Sequence, residues 1–317
     1  MKRLLAVAQS PWLRITFGVA AIGLAVWAIA SDWERVSAAY LAMPTSSSVI
    51  ALGLSFAYVL ASLQSWRLVA RDLGMFFGIR DSGMVFLVGQ MGKYIPGGVW
   101  NIVAGAELAR DRGATRSRAF AALALSMLIS IATGVILASI ALLFVPGDTP
   151  SWVRAFAIGL PVAAVALVPR FLTKLLDFAF RVTRRTPLDA PVTGRRIAGA
   201  AAWSGLSWTF AGLQLWILSV GLGMEATPST VLLAVGGFAA AWLVGLAVVF
   251  VPAGLGAREA VLFPLLAAHL ARPDIIVVIV LSRVLFTVAD VVLGAIPLID
   301  NRVNRGRRIR KPSSPAA

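Results

Sequence analysis

The sequence predicts an all-α integral membrane protein: about eight transmembrane segments in two inverted repeats, each with a broken or re-entrant helical hairpin. Three observations lead there. Hydrophobic residues make up 59% of the 317 and charged ones 14%, with a mean hydropathy of +0.86. One soluble core cannot hide that much apolar surface, and several uncharged runs approach the ~20 residues a spanning helix needs. Two proline-glycine breaks, Val88-Gly-Gln-Met-Gly-Lys-Tyr-Ile-Pro-Gly-Gly98 and Val244-Gly-Leu-Ala-Val-Val-Phe-Val-Pro-Ala-Gly254, align without a gap at an offset of 156. Lastly, lysine and arginine gather in alternate connections, as topology signals do.

The first element is a helix over about residues 15–30. Lys2, Arg3 and Arg14 precede its apolar run, and Ala28-Ile29-Ala30 resembles a signal-peptide cleavage site. The run begins late for a signal peptide and more spans follow, so a retained helix is expected. Further helices are predicted over about 48–69, 119–145, 152–169, 198–221 and 274–299, with interrupted segments at 83–109 and 229–271. Residues 1–300 thus form one polytopic domain, with repeat one over about 48–145 and repeat two over about 198–299. Residues 301–317 form a basic cytoplasmic tail without a fold of its own. A second echo supports the duplication: Leu63-Gln64-Ser65-Trp66 recurs as Leu213-Gln214-Leu215-Trp216, and Leu73-Gly74-Met75 as Leu222-Gly223-Met224.

Charge sets the orientation. The stretches around Arg67, Arg71 and Arg80, around Arg110, Arg112, Arg116 and Arg118, from 170 to 196, and from Arg302 to Lys311 are basic; those holding Asp32 and Glu34, Asp148, and Glu225 are not. Both termini are therefore expected in the cytoplasm. The first interrupted segment has basic flanks on both sides, so it enters and returns from the cytoplasm; the second enters from outside. In a soluble chain the net charge of +15 would suggest nucleic acid. Here it sits between spans, and no nucleic-acid partner is expected.

The chain has no cysteine and one histidine, His269, which is read as a helix-end residue beside Arg272 and Asp274. No metal site, thiol chemistry or cofactor is expected. The candidate residues lie at the breaks instead. Gly97, Gly98 and the arm that follows offer free backbone N–H groups that favour an anion. Lys93 places a full charge three residues before Pro96, where an intramembrane cation needs water, a headgroup or an acid. Asn101 and Gln90 supply a polar lining, and Tyr94 and Trp100 are interfacial anchors or lipid-chain contacts. Lys93 paired with Glu107, pinning the hairpin, is the bland alternative. At the second break Pro252, Gly254 and Gly256 precede Arg258 and Glu259, the arginine presenting a planar fork for phosphate and the glutamate favouring the helix start. Arg283 and Asp290 lie seven residues apart on one face of the last span; Arg283 is a partner for Glu259, and Asp290 for Arg67 or a substrate.

Gly92-Lys-Tyr-Ile-Pro-Gly-Gly-Val-Trp100 and Val251-Pro-Ala-Gly-Leu-Gly-Ala-Arg-Glu259 resemble the two signature motifs of the lysylphosphatidylglycerol synthase transmembrane-domain family, also called flippase-like proteins. Ala253 departs from the glycine usual after that proline. The resemblance implies an inner-membrane helical protein of about eight segments that moves lipids between leaflets. In the synthases this domain is followed by a soluble aminoacyl transferase domain, and no such transferase chemistry is expected of this chain. The expected function is translocation of an anionic phospholipid or a polyprenyl-phosphate-linked lipid, without an enzymatic step. The alternatives are a noncatalytic partner of an envelope-lipid synthesis enzyme and a membrane-embedded transferase on lipid-linked substrates with Glu259 or Asp290 as base.

Overall fold

A computed structural model describes residues 33–94, 100–143, 163–168, 193–248 and 256–310, with positions 30, 159, 161, 171 and 174. All regular structure among them is helical. The helices are α1 (Trp33–Ala42), α2 (Thr45–Asp72), α3 (Ile79–Gly83), α4 (Trp100–Arg110), α5 (Arg116–Leu143), α6 (Gly194–Gly221), α7 (Pro228–Ala247), α8 (Ala257–Leu266) and α9 (Arg272–Arg310). α3 runs on through a π-helical stretch, Met84–Val88, and a 3-10 turn, Met91–Tyr94, which together form the first arm of the first hairpin. Among the described residues, four helices are long and apolar enough to cross a membrane: α2, α5, α7 and the Arg272–Asn301 part of α9. The expected helix at 15–30, most of that at 152–169, the tail beyond 310 and the break residues Pro96, Gly97, Gly98, Pro252 and Gly254 lie outside the described residues.

Two expectations change. The acidic stretch at Asp32 and Glu34 leads into a helix, α1, which seats Val36 in the core and packs on α9. α9 does not stop near 299 but continues to Arg310, since no proline after Pro297 interrupts its ladder in that stretch.

The echoed sequences occupy matching places. α2 ends at Leu73-Gly74-Met75, where Gly74 takes φ 76° and Met75 N–H reaches Ala70 O at 2.9 Å. α6 ends at Leu222-Gly223-Met224, with Gly223 at φ 99° and Met224 N–H on Ser219 O at 3.0 Å. Both turns satisfy orphan carbonyls through a left-handed glycine. The two helices, each 28 residues, lie antiparallel: Ser65 Oγ donates to Ala200 O at 2.8 Å, while Ser47 lies against Gly221 at the other end. Asp72 ties the pair at one end, accepting from Thr193 N (2.6 Å) and Thr193 Oγ1 (2.7 Å) at the start of α6.

Long helices pack across the halves. α5 packs on α6 and α7, with Thr133 Oγ1 2.7 Å from Ser204 Oγ and Trp208 Nε1 donating to Ser130 O at 3.1 Å. α9 packs on α2, α6 and the first arm, where Pro297 lies beside Gly83 and Ser282 Oγ donates to Gln214 Oε1 at 2.8 Å. Two hydrophobic cores result, one around α2, the first arm, α4 and α5, the other around α6 to α9. Tyr58 of α2 packs against both.

The first arm and α4 run side by side in opposite directions. A Cβ on Gly89 would stand 3.0 Å from Gly105 Cα, and one on Gly92 would stand 2.6 Å from Asn101 N and Trp100 C. The backbones touch because these positions carry no side chain. Gly92→Ala is expected to push the arms apart and to destabilise the protein by about 1–3 kcal/mol, the cost of overpacking. Thermal unfolding in detergent measures it as a lowered Tm; an unchanged Tm would mean that the arms are not in contact.

Candidate functional site

α9 supplies the centre. Arg283 lies eleven residues after Arg272, and Asp290 eleven before Asn301, so the two charges straddle the middle of its apolar stretch. Seven residues make about two turns, which puts both side chains on one face. Each meets a charge brought by a different hairpin.

Lys93, at the end of the first arm, places Nζ 2.6 Å from Asp290 Oδ2. Tyr94 Oη donates to the same oxygen at 2.7 Å. Asp290 is only 3% exposed, while Lys93 is 33% exposed, so the acid is sealed and the cation faces partly outward. A carboxylate in that setting needs a charged donor, because a buried charge without a partner is costly. The first arm delivers one because its 3-10 turn ends on Lys93 and Tyr94.

From the other hairpin, Glu259 Oε1 lies 2.7 Å from Arg283 Nε. Gly256 starts α8 at φ 82°, a left-handed value that suits glycine, and directs the chain so that Arg258 and Glu259 occupy its first turn. Glutamate suits a helix N-terminus electrostatically. The second carboxylate oxygen, Glu259 Oε2, is buried and has no hydrogen-bond partner among the described residues. Arg258 is half-buried, and its guanidinium sits over the Phe238 ring at 5.0 Å from the centroid. Among the described residues no carboxylate pairs with it. The break segments, 95–99 and 249–255, contain no ionisable side chain.

The two groups of charge form one cluster. Arg258 lies within coulombic reach of Arg283, Glu259, Tyr58 and Tyr94, and Tyr58 within that of Asp290. Lys93 and Tyr94 belong to the first hairpin and Glu259 to the second, and their partners Asp290 and Arg283 share one face of α9. Among the described residues, three cations, Lys93, Arg258 and Arg283, stand against two carboxylates, Glu259 and Asp290. Aromatic rings back the cluster: Tyr58 meets Phe286 edge-on at 5.1 Å and 70°, and Phe286 packs on Phe238 at 5.4 Å.

Among the expected pairs, Arg283 with Glu259 forms, while two others do not. Lys93 takes Asp290 rather than Glu107, because Glu107 lies beyond the hairpin contact on α4 and pairs with Arg116 Nε at 3.0 Å and Arg110 Nη1 at 3.4 Å near the protein surface. Asp290 is not the partner of Arg67, whose Nη1 donates to Gln64 Oε1 at 3.1 Å a turn away on its own helix. Asn101 lies at the contact of the two arms, half-buried, and Trp100 is exposed at the start of α4. Gln90 is half-buried on the first arm. Tyr58, Phe238 and Phe286 were not legible as site residues, since each stands in an apolar helix without a motif.

The family model for the lysylphosphatidylglycerol synthase transmembrane region matches residues 12–294 of this chain. The chain belongs to that family. A comparison with curated proteins gives no match. As a lysylphosphatidylglycerol synthase transmembrane-region protein with several long apolar helices, it is a multi-pass membrane protein. The match takes in both hairpins and the charged part of α9, so the whole cluster lies within the family domain.

Proposed function

We propose that the protein is a lipid translocase that moves an anionic phospholipid or a polyprenyl-phosphate-linked lipid across the inner membrane, with no chemical step on the lipid. The observation that carries this reading is the charge cluster at mid-depth of α9, built from residues of both hairpins and holding, among the described residues, one more cation than carboxylates. Intramembrane charge mainly serves substrate or ion pathways, because it is costly to keep in hydrocarbon. A surplus positive charge favours an anionic headgroup.

The hairpins are re-entrant in this account. α4 has 11 residues and α8 has 10, about 17 and 15 Å of helix, against about 30 Å of hydrocarbon. These two arms reach the midplane and no farther, while α7, the other arm of the second hairpin, has 20 residues and is long enough to cross. The re-entrant reading therefore rests on the short arm that follows each break. The two halves are inverted repeats: α2 and α6 end in matching turns and lie antiparallel, and α5 and α9 each pack on the other half's hairpin. Transporters of inverted topology place their sites where interrupted helices meet near the midplane. The basic connections put both termini in the cytoplasm, so the first hairpin dips in from inside and the second from outside.

The test is transport by purified protein in phosphatidylcholine vesicles carrying a labelled phosphatidylglycerol, with the outer-leaflet label destroyed by an impermeant reductant. The protein should speed exposure of inner-leaflet phosphatidylglycerol over protein-free vesicles, and more than that of labelled phosphatidylcholine. Equal rates with and without protein, together with an envelope-lipid synthesis enzyme that co-purifies, would replace translocation with the partner reading.

A further inference from the structure

The cluster contains two groups that its internal pairs do not occupy. Lys93, Asp290 and Tyr94 satisfy one another, and Glu259 holds Arg283. Arg258 has the Phe238 ring beneath it and, among the described residues, neither an ion pair nor a hydrogen bond. A guanidinium over an aromatic face is held through that face, which leaves its N–H edge for a phosphate or carboxylate fork.

The Tyr58 hydroxyl is in the same position. Its ring is fixed against Phe286, on the seam where both hydrophobic cores meet, yet among the described residues no partner takes its O–H. The described side-chain atoms that are sealed without a partner are Trp66 Nε1, Arg67 Nε and Glu259 Oε2. Tyr58 and Arg258 are both half-buried, so neither side chain is wholly sealed in the core. Both are donors within coulombic reach of each other.

We infer that Arg258 and Tyr58 form a two-point grip on a phosphate oxyanion, and that the Lys93–Asp290–Tyr94 group is a clasp between the first hairpin and α9 rather than the headgroup reader. This deepens the translocase reading and rests on it. The ligand class is a lipid phosphate, with the guanidinium giving charge and the phenol a second, directional hydrogen bond. Tyr58 is then a specificity residue that no sequence motif marks.

Binding of phosphatidylglycerol in mixed vesicles with phosphatidylcholine, measured for the full chain, separates the possibilities. Tyr58→Phe keeps the ring on Phe286 and removes only the hydroxyl, so the Tm should hold while phosphatidylglycerol binding weakens about tenfold, the scale of one hydrogen bond to a charged group. Phosphatidylcholine binding should not change. Arg258→Lys keeps the charge but not the fork, and the double variant with Tyr58→Phe should lose less than the two single losses combined, as partners on one ligand do. If the wild type prefers phosphatidylglycerol and Tyr58→Phe binds it equally well, or the two losses simply add, the grip is wrong while the translocase reading stands. If the wild type shows no preference, the grip on phosphatidylglycerol is wrong, and the translocase reading is decided separately by the vesicle transport measurement.

Discussion

Reversing the charge at Arg258, as Arg258→Glu, is expected to abolish movement of anionic lipid, with a loss of at least about a hundredfold. The variant leaves two cations against three carboxylates in the cluster, so an arriving phosphate meets net repulsion instead of attraction. A charge-assisted hydrogen bond is worth about 1.5–3 kcal/mol, or roughly ten- to a hundredfold, before the repulsion is added. Arg258 sits over Phe238 and holds no carboxylate among the described residues, so its replacement orphans no buried acid. Transport in vesicles, read beside the unfolding temperature, distinguishes a lost site from a lost fold. Unimpaired phosphatidylglycerol movement in this variant would remove Arg258 from the account.

Lys93→Met is expected to act on stability. Asp290 is 3% exposed and would keep Tyr94 as its donor but lose its cation. Breaking a buried pair from one side costs about 3–5 kcal/mol, with uptake of a proton by the carboxylate limiting the loss. The partial exposure of Lys93 makes the reverse change, Asp290→Asn, the milder one. Combining Lys93→Met with Asp290→Asn should recover much of the loss, because no unpaired charge remains. A double-mutant cycle of unfolding free energies in detergent measures the coupling. Additive effects would show that the pair does not clasp the first hairpin to α9.

Much of the architecture was legible because it is local. The Leu-Gly-Met repeats marked the two helix ends, where glycine takes a left-handed turn at Gly74 and Gly223. The apolar runs marked the long helices, and the spacing of Arg283 and Asp290 fixed their common face. The pairing of Arg283 with Glu259 was expected, since adjacent segments of the chain bring them together. What escaped is long-range. Lys93 meets Asp290 from the other half of the chain, a contact set by how α9 packs on the first arm, and no local period encodes it. Glu107 was the nearer acid in sequence, yet α4 carries it away toward Arg116. Tyr58 looked like any aromatic in an apolar helix, and only the meeting of the two cores gives it a place. α1 was missed because its flanking acids read as a loop.

Thiol labelling tests most directly whether the two hairpins enclose a water-reachable cavity at mid-depth. The chain has no native cysteine, so single cysteines can be placed without background. Cysteines at Tyr94 and Arg258, one in each hairpin, should react with a charged, water-soluble thiol reagent in native membranes. Cysteines at Val284 and Val288, exposed on α9 at similar depth, should not, because the proposed arrangement turns them to lipid. Silence at 94 and 258, or equal reaction at all four positions, would contradict the cavity on which the proposed lipid path depends.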